Sequence, residues 1–435
     1  MRNLFRNLFV IILAAAMPWQ AVGSTDSFDH AKTALRLQWP RNPIRIAISD
    51  SLTRDNLNIK VGSDIDGAIG RSIAAWESVG NIRFERASSP RSNVSPAGAS
   101  GDGVSLVTIA PTAENVLFFG NQLLDVPAAT RIFFDRNGVI TEADIVLSPF
   151  HQFSTDGTFG TFDLETVLVH ELGHLLGLEH SMISGTAMHE NVPKNGLYSM
   201  ASFAGRSLAD LDRALLLETY GPMAGEELCC GELEVRATTA RSRLQPTGSI
   251  WLEEAETGRI FAARNADSSG YANFGGLAEG SYKAFWRDAQ IAKPQIGDQF
   301  LGDVSIDNDE RAILRRSLKR SDTAAQLQFV GLNGQLSKVA VGLNPGRTVT
   351  LYLGGRNLDP RAIIVGATSP FFNVVKESLR ALDYGDRLSV VSFELESTAD
   401  TLPGTYSIYV EDRSGARSYF PGAIVVLPAS NPLQK

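Results

Sequence analysis

The chain has little cysteine, no positive charge excess and no apolar run long enough to cross a membrane. Two cysteines stand among 435 residues, and they are neighbours, Cys229 and Cys230. No disulfide framework can brace such a fold, so its domains depend on hydrophobic cores. Adjacent Cα atoms lie about 3.8 Å apart, below the usual disulfide span, so a bridge between this pair would be strained. The formal charge is −8, and removing residues 1–23, whose only charges are Arg2 and Arg6, takes the remainder to −10. That balance excludes a basic footprint for nucleic acid or anionic lipid. The one notable apolar run, Leu8 to Met17, is about half of the roughly 20 residues a spanning helix needs. With Arg2 and Arg6 before it and Ala21 and Gly23 after it, the run reads as a signal peptide over residues 1–23, cleaved before Ser24. Export is therefore expected, to a secreted, extracellular or periplasmic destination.

What is present is an ordinary globular composition, 43% hydrophobic and 20% charged. A length of 435 residues exceeds the roughly 250–300 at which single cores stop growing, which predicts two or three domains. A short strand at Ile44–Ile48 precedes an amphipathic helix from Asp64 to Val79, whose Ile65, Ile69, Ile73, Trp76 and Val79 share one stripe. Residues Ser88–Gly103 read as a loop that includes the sequon Asn93-Val94-Ser95. Strands are expected at Val104–Ile109, Thr130–Phe134 and Ala143–Leu147, the last two joined by a turn at Asp135-Arg136-Asn137-Gly138. Helices follow over about Asp163–Leu176 and Leu208–Tyr220, the second ended by Gly221 and Pro222. Beyond Pro222 short strands and glycine-rich turns take over, in two sets divided near Ser317–Asp322, where the basic run Arg315 to Arg320 reads as an exposed linker.

Chemistry concentrates in His170-Glu171-Leu172-Gly173-His174-Leu175-Leu176-Gly177-Leu178-Glu179-His180, which holds three of the six histidines. Residues four apart on a helix share a face, so the imidazoles of His170 and His174 can bind one cation. Leu168, Leu172 and Leu175 form a separate stripe for the core. Asp163 is placed to cap this helix, and Glu165 in its first turn complements the dipole. A third ligand must come from outside that face, and Gly177, able to adopt a left-handed backbone, can stop the helix and let the chain return with His180. Three neutral imidazoles with a fourth position open make a catalytic zinc arrangement. Glu171, about 100° round the helix from His170, is then the candidate general base for attack of water on a peptide carbonyl.

This stretch resembles the metzincin zinc peptidases. Met188, eight residues after His180 in Gly185-Thr186-Ala187-Met188, resembles the Met-turn of their matrixin branch, where a methionine forms an apolar floor beneath the metal. Glu142-Ala143-Asp144-Ile145 and Phe162-Asp163-Leu164 look like bacterial matrixin-like sequences. Leu208-Ala209-Asp210 through Tyr220-Gly221 resembles the closing helix, and Trp39-Pro40 the opening. The resemblance implies an α+β catalytic domain over 39–223, a twisted mixed sheet plus three helices, preceded by a short segment 24–38. It implies a Zn2+ site on His170, His174 and His180, Glu171 as base, and Gly177 and Met188 as structural support. The substrate would be protein or peptide, with Glu190–Phe203 shaping the side-chain pocket. Calcium is common in such enzymes, and Asp135 with Glu142 or Asp144 is the candidate site. Their structural zinc site has no clear counterpart; His151 reads as a solvated loop side chain and His189 as a pocket or surface residue. No cysteine-bearing segment precedes the catalytic stretch, so no cysteine-switch activation is expected.

In the C-terminal half, Thr257-Gly258-Arg259, Gly270-Tyr271-Ala272-Asn273-Phe274 and Gly280-Ser281-Tyr282 resemble carboxypeptidase-regulatory or prealbumin-like sandwiches, over 224–318. Leu351-Tyr352-Leu353-Gly354-Gly355-Arg356-Asn357-Leu358 and Pro403-Gly404-Thr405-Tyr406 resemble an immunoglobulin-like domain of the IPT/TIG type, over 319–435. Such motifs are turn glycines and core aromatics, which favours a spacer role. The competing class is a non-enzymatic surface or adhesion protein with a structural zinc site, in which the β domains bind. Glu171, which a structural site does not need, argues against it.

Overall fold

The structure, a computed structural model, describes residues 23–24, 36–40, 42–53, 56–96, 100–122, 124–223, 231–239, 248–288, 296–319, 325–385 and 387–427. Residues 1–22 of the expected signal peptide, Cys229 and Cys230 lie outside the described residues. No helix among the described residues is long and apolar enough to cross a membrane.

The first part of the chain builds β1 (Ile44–Ser49), α1 (Ile65–Glu77), β2 (Phe84–Ser89), β3 (Ser105–Thr108), β4 (Ala128–Phe134), β5 (Ile140–Leu147), α2 (Leu164–Leu175) and α3 (Asp210–Tyr220). The strands form one sheet in the order β2-β1-β3-β5-β4. All neighbours run parallel except the edge strand β4, which is antiparallel to β5. The Asp135–Gly138 turn makes that hairpin, with Asp135 Oδ1 accepting the N–H groups of Asn137 (2.8 Å) and Val139 (3.0 Å). Parallel strands need apolar cover on their faces. The apolar stripe of α1 supplies part of it: Ile69, Ile73 and Trp76 join a core with Ile44, Ile46, Ile145, Leu172 and Leu175.

The remaining strands form two sandwiches. In the first, β6 (Gly231–Thr239), β7 (Gly248–Glu254), β8 (Ile260–Asn265), β9 (Tyr271–Leu277), β10 (Gly280–Asp288), β11 (Gln299–Ile306) and β12 (Arg311–Leu318) make the sheets β9-β6-β12 and β8-β7-β10-β11. Their inward residues, among them Leu233, Val235, Ile250, Phe274, Trp286 and Leu314, share one core. The second holds β13 (Gln326–Leu332), β14 (Gln335–Ser337), β15 (Val341–Leu343), β16 (Thr348–Arg356), β17 (Ile363–Ala367), β18 (Phe372–Leu382), β19 (Ser389–Ser397), β20 (Gly404–Asp412) and β21 (Arg417–Val426). Its sheets run β14-β13-β16-β19-β18 and β15-β21-β20-β17.

Four expectations need correction. The basic run is not simply a linker: Arg315 and Arg316 lie on β12, which pairs in parallel with β6 while Leu314 and Leu318 face inward. Exposed arginines on such an edge strand discourage pairing with another chain. The candidate calcium carboxylates form no metal-binding group among the described residues, and each takes up backbone N–H groups instead. Asp135 closes its own turn, Asp144 accepts the N–H groups of Ser95 and Leu106 (both 2.9 Å), and Glu142 accepts that of Gly103 (2.5 Å). His151 is not solvated; it is 7% exposed and packs edge-on to Phe162, and burial lowers its pKa to about 4.

Nor do the sandwiches stand off as spacers. Ile183 and Leu211 of the first part share a buried cluster with Trp251, Ile260 and Phe285 of the first sandwich and Tyr419 of the second. Leu197 and Tyr198 lie within the core of the second sandwich.

Candidate metal centre

Helix α2 is fixed at both ends before any ligand is considered. At its start Asp163 caps the Thr166 N–H (2.9 Å), and Arg206 binds the same carboxylate through Nη2 (2.6 Å) and Nε (2.9 Å). At its end the Gly177 N–H bonds to the His174 carbonyl (2.7 Å) and the Leu178 N–H to that of Gly173 (3.0 Å). This 5→2 and 6→1 pair is a Schellman stop, which requires the left-handed backbone of Gly177, φ +87°. Two distant side chains bind carbonyls of the buried last turn: Trp39 Nε1–H donates to Leu175 (2.8 Å) and the Tyr220 hydroxyl to Leu176 (2.7 Å).

The stop returns the chain so that His180 meets the helix. The three rings lie with centroids 4.7 Å apart for His170–His174 and His174–His180, and 5.3 Å for His170–His180. One nitrogen of each falls within 4.8 Å of the others, and among the described residues this is the only such group of three or more metal-binding side chains. His170 Nδ1–H donates to the Ala187 carbonyl (2.7 Å) and His174 Nδ1–H to that of Leu178 (2.8 Å). A carbonyl only accepts, so both rings carry their proton on Nδ1 and present an Nε2 lone pair. Those two Nε2 atoms face each other at 3.0 Å. Burial, and next the neighbouring His180, lower the His170 pKa well below its ordinary value, so a proton is a poor occupant between them. Two lone pairs so placed suit a shared cation, and a set of three imidazole nitrogens suits Zn2+.

Glu171 stands outside the trio. It is fully buried, its Oε2 accepts the Thr130 hydroxyl (2.5 Å), and its Oε1 has no hydrogen-bond partner. Burial pushes its carboxyl up to about 8, with the Thr130 bond opposing. Thr130 belongs to β4, so the edge strand and the histidine helix are joined at this carboxyl.

Met188 lies against α2 at Gly173, where a Cβ would come within 2.2 Å of Met188 Sδ and 2.8 Å of Trp76 Cζ2. Glycine in a helix ordinarily costs about 1 kcal/mol relative to alanine. Here the close approach reverses the sign: Gly173→Ala should destabilise by about 1–3 kcal/mol through overpacking, read by chemical denaturation, and should weaken metal binding. The methionine turn is held by Asp212 of α3, a residue with no local sequence signal. Its carboxylate accepts the N–H groups of Ala187 (2.8 Å), Met188 (3.2 Å) and Ala209 (2.8 Å), and burial raises its pKa to about 6. His189, 9% exposed, lies in this turn and outside the trio.

His180 is the partly exposed member. It opens on a cleft of about 570 Å³ whose walls include His189, Arg287 of the first sandwich, and Phe329, Lys338 and Phe420 of the second.

Residues 123–202 match the family model for Matrixin, Peptidase M10, which supports a metallopeptidase site in this stretch. No curated protein matches the chain. Among solved structures, the chain is similar to BcpA, the major pilin subunit of Bacillus cereus, at 12% identity, over 46% of this chain and 69% of that one, with a TM-score of 0.16. It is similar to a putative membrane anchored protein from Corynebacterium diphtheriae at 10% identity, over 46% and 60%, with a TM-score of 0.20. A Bacteroides ovatus mixed-linkage glucan utilization locus protein, SGBP-B, aligns at 12% identity over 48% and 45%, with a TM-score of 0.16. Likenesses this loose carry no argument about fold or activity.

Proposed function

We propose that this chain is an exported zinc-dependent endopeptidase of bacterial matrixin-like type, with its catalytic domain over 39–223 and sandwiches over 224–318 and 319–435. His170, His174 and His180 hold the metal, and Glu171 is the general base. The observation that carries this reading is the Glu171 side chain, a buried carboxyl beside a ligand, outside the ligand trio, with Oε1 left unpaired. A structural metal site has no use for such a group, which weighs against the non-enzymatic surface protein.

When bound, zinc supplies a Lewis acid for the scissile carbonyl and makes water acidic enough to react near neutral pH. A cation held by the adjacent trio would favour the ionised form of Glu171, whose Oε1 takes a proton from the attacking water and delivers it to the departing amine, while the Thr130 hydroxyl holds Oε2. The Ala187 and Leu178 carbonyls fix the tautomers of His170 and His174. Met188, held from α3 by Asp212, supports the floor of the site.

Protein beginning at Ser24 should contain zinc and cleave members of a broad peptide library. Chelation should remove both properties, and zinc should restore them. A zinc-loaded protein that cleaves no peptide would overturn the reading in favour of a surface role.

A further inference from the structure

Beside the trio lies a second, narrower pocket. Its near side is made by Thr166, one turn before His170 on α2, and by Ala187, whose carbonyl holds the His170 ring. Its far side is made by Ala340, Gly342 and Val425 of the second sandwich. We infer that the second β-sandwich supplies a wall of the substrate site, closing this pocket so that it accepts a short aliphatic side chain of a peptide. The inference rests on the peptidase reading above.

Strand alternation carries the argument. β15 and β21 pair in parallel with Val341 opposite Ile424, Gly342 opposite Val425 and Leu343 opposite Val426. Val341, Leu343, Ile424 and Val426 all enter the sandwich core, so Gly342 and Val425 face the other way. On a free-standing sandwich that face would meet water. Here it is apolar, with Ala340, Val425 and Leu427 clustered and Ala204 packed on them. A Cβ on Gly342 would meet only Met200, at 4.0 Å, and Met200 also lines the pocket; a side chain at 342 would therefore enter it. The pocket volume is about 80 Å³, against the roughly 150 Å³ of an apolar cavity that admits benzene.

The wall is fastened. The Tyr198 hydroxyl lies 2.8 Å from the Val339 carbonyl and 3.0 Å from that of Val330, and Asn333 Nδ2 donates to the Tyr198 carbonyl (2.7 Å). Tyr198 and Ser199 sit at φ +58° and +62°, a costly backbone for residues with side chains, and burial of the tyrosine offsets that cost. The Ser184 hydroxyl donates to the Lys338 carbonyl (3.0 Å). At Gly185, φ +81°, a Cβ would fall 2.2 Å from Val425.

The test uses the full chain from Ser24 in two opposite variants, Val425→Ala to widen the pocket and Gly342→Val to narrow it. Each is assayed on peptides carrying Ala, Val, Leu or Phe at each position around the cleaved bond, with zinc content and melting temperature recorded. At one position Val425→Ala should raise kcat/KM for the larger side chains relative to alanine by about tenfold, and Gly342→Val should lower it by a similar factor. Wild-type ranking in both variants would overturn the inference. So would a uniform loss of cleavage with lowered melting temperature and unchanged ranking, which is the signature of a brace alone. A zinc-loaded wild type that cleaves nothing would instead refute the peptidase reading.

Discussion

Replacing Glu171 by glutamine should leave metal content unchanged and lower peptide turnover by about 10²–10⁴-fold, the usual contribution of a positioned general base. Glutamine keeps the shape and can still accept the Thr130 hydroxyl, but its amide cannot take a proton from water. The measurement is kcat alongside zinc content. Turnover within a few-fold of wild type would remove Glu171 from the chemistry. The same variant should behave oppositely in stability once the protein is stripped of metal. Burial raises the Glu171 carboxyl from 4.5 to about 8. The folded chain therefore holds a proton that the unfolded chain releases. The resulting stability is fully present below pH 4.5 and is lost as pH rises through about 8. Glutamine has no such loss, so metal-free Glu171→Gln should melt above wild type, with a gap that widens across this window and is level beyond it.

A chain ended at residue 223 should fail to give a soluble, cooperatively folded peptidase. Ile183, Leu197, Tyr198 and Leu211 are each 5% exposed or less, and their burial involves the sandwiches. Exposing a large apolar side chain costs about 1.5–3 kcal/mol. Four of them cost on the order of 6–12 kcal/mol, comparable with the whole 5–15 kcal/mol stability typical of a domain. Two polar ties would be lost as well: the Tyr198 hydroxyl and the salt bridge between Glu218 and Arg264. Expression of residues 24–223, followed by sedimentation and thermal unfolding, checks this. A monomeric fragment that melts cooperatively and retains the peptide ranking of the full chain would show that the sandwiches are separable.

The histidine helix, its glycine stop and the returning His180 were legible in the sequence because their signals are local. The 170/174 spacing, Gly177 and the Asp163 cap all act within a few residues. The β4–β5 turn was legible for the same reason, since Asp135 bonds only to its own loop. What was hidden is long-range. Thr130 meets Glu171 across 41 positions and Tyr198 meets Val339 across 141, and no period or motif marks either pair. Asp212 looks like any acid in the first turn of a helix until the methionine turn is seen against it. The arginines of β12 misled because an edge strand displays charge just as a linker does. Gly342 and Val425 belong to strands of ordinary composition, and only the register shows which way they face.

Helix α2 ends under the Trp39 indole and the Tyr220 hydroxyl, and Trp39 N–H also bonds to Tyr220 (3.2 Å), a contact 181 positions apart in the chain. This bears on the order of events during synthesis. A nascent chain that has just passed Met188 already carries all three imidazoles and the methionine turn, yet Asp212 and Tyr220 are still to come. Its histidine helix has a frayed end and its methionine turn has no anchor. Metal affinity should therefore arise late, when the last helix closes against the first residues of the unit, and chelator resistance measured during refolding would time the completion of the whole domain.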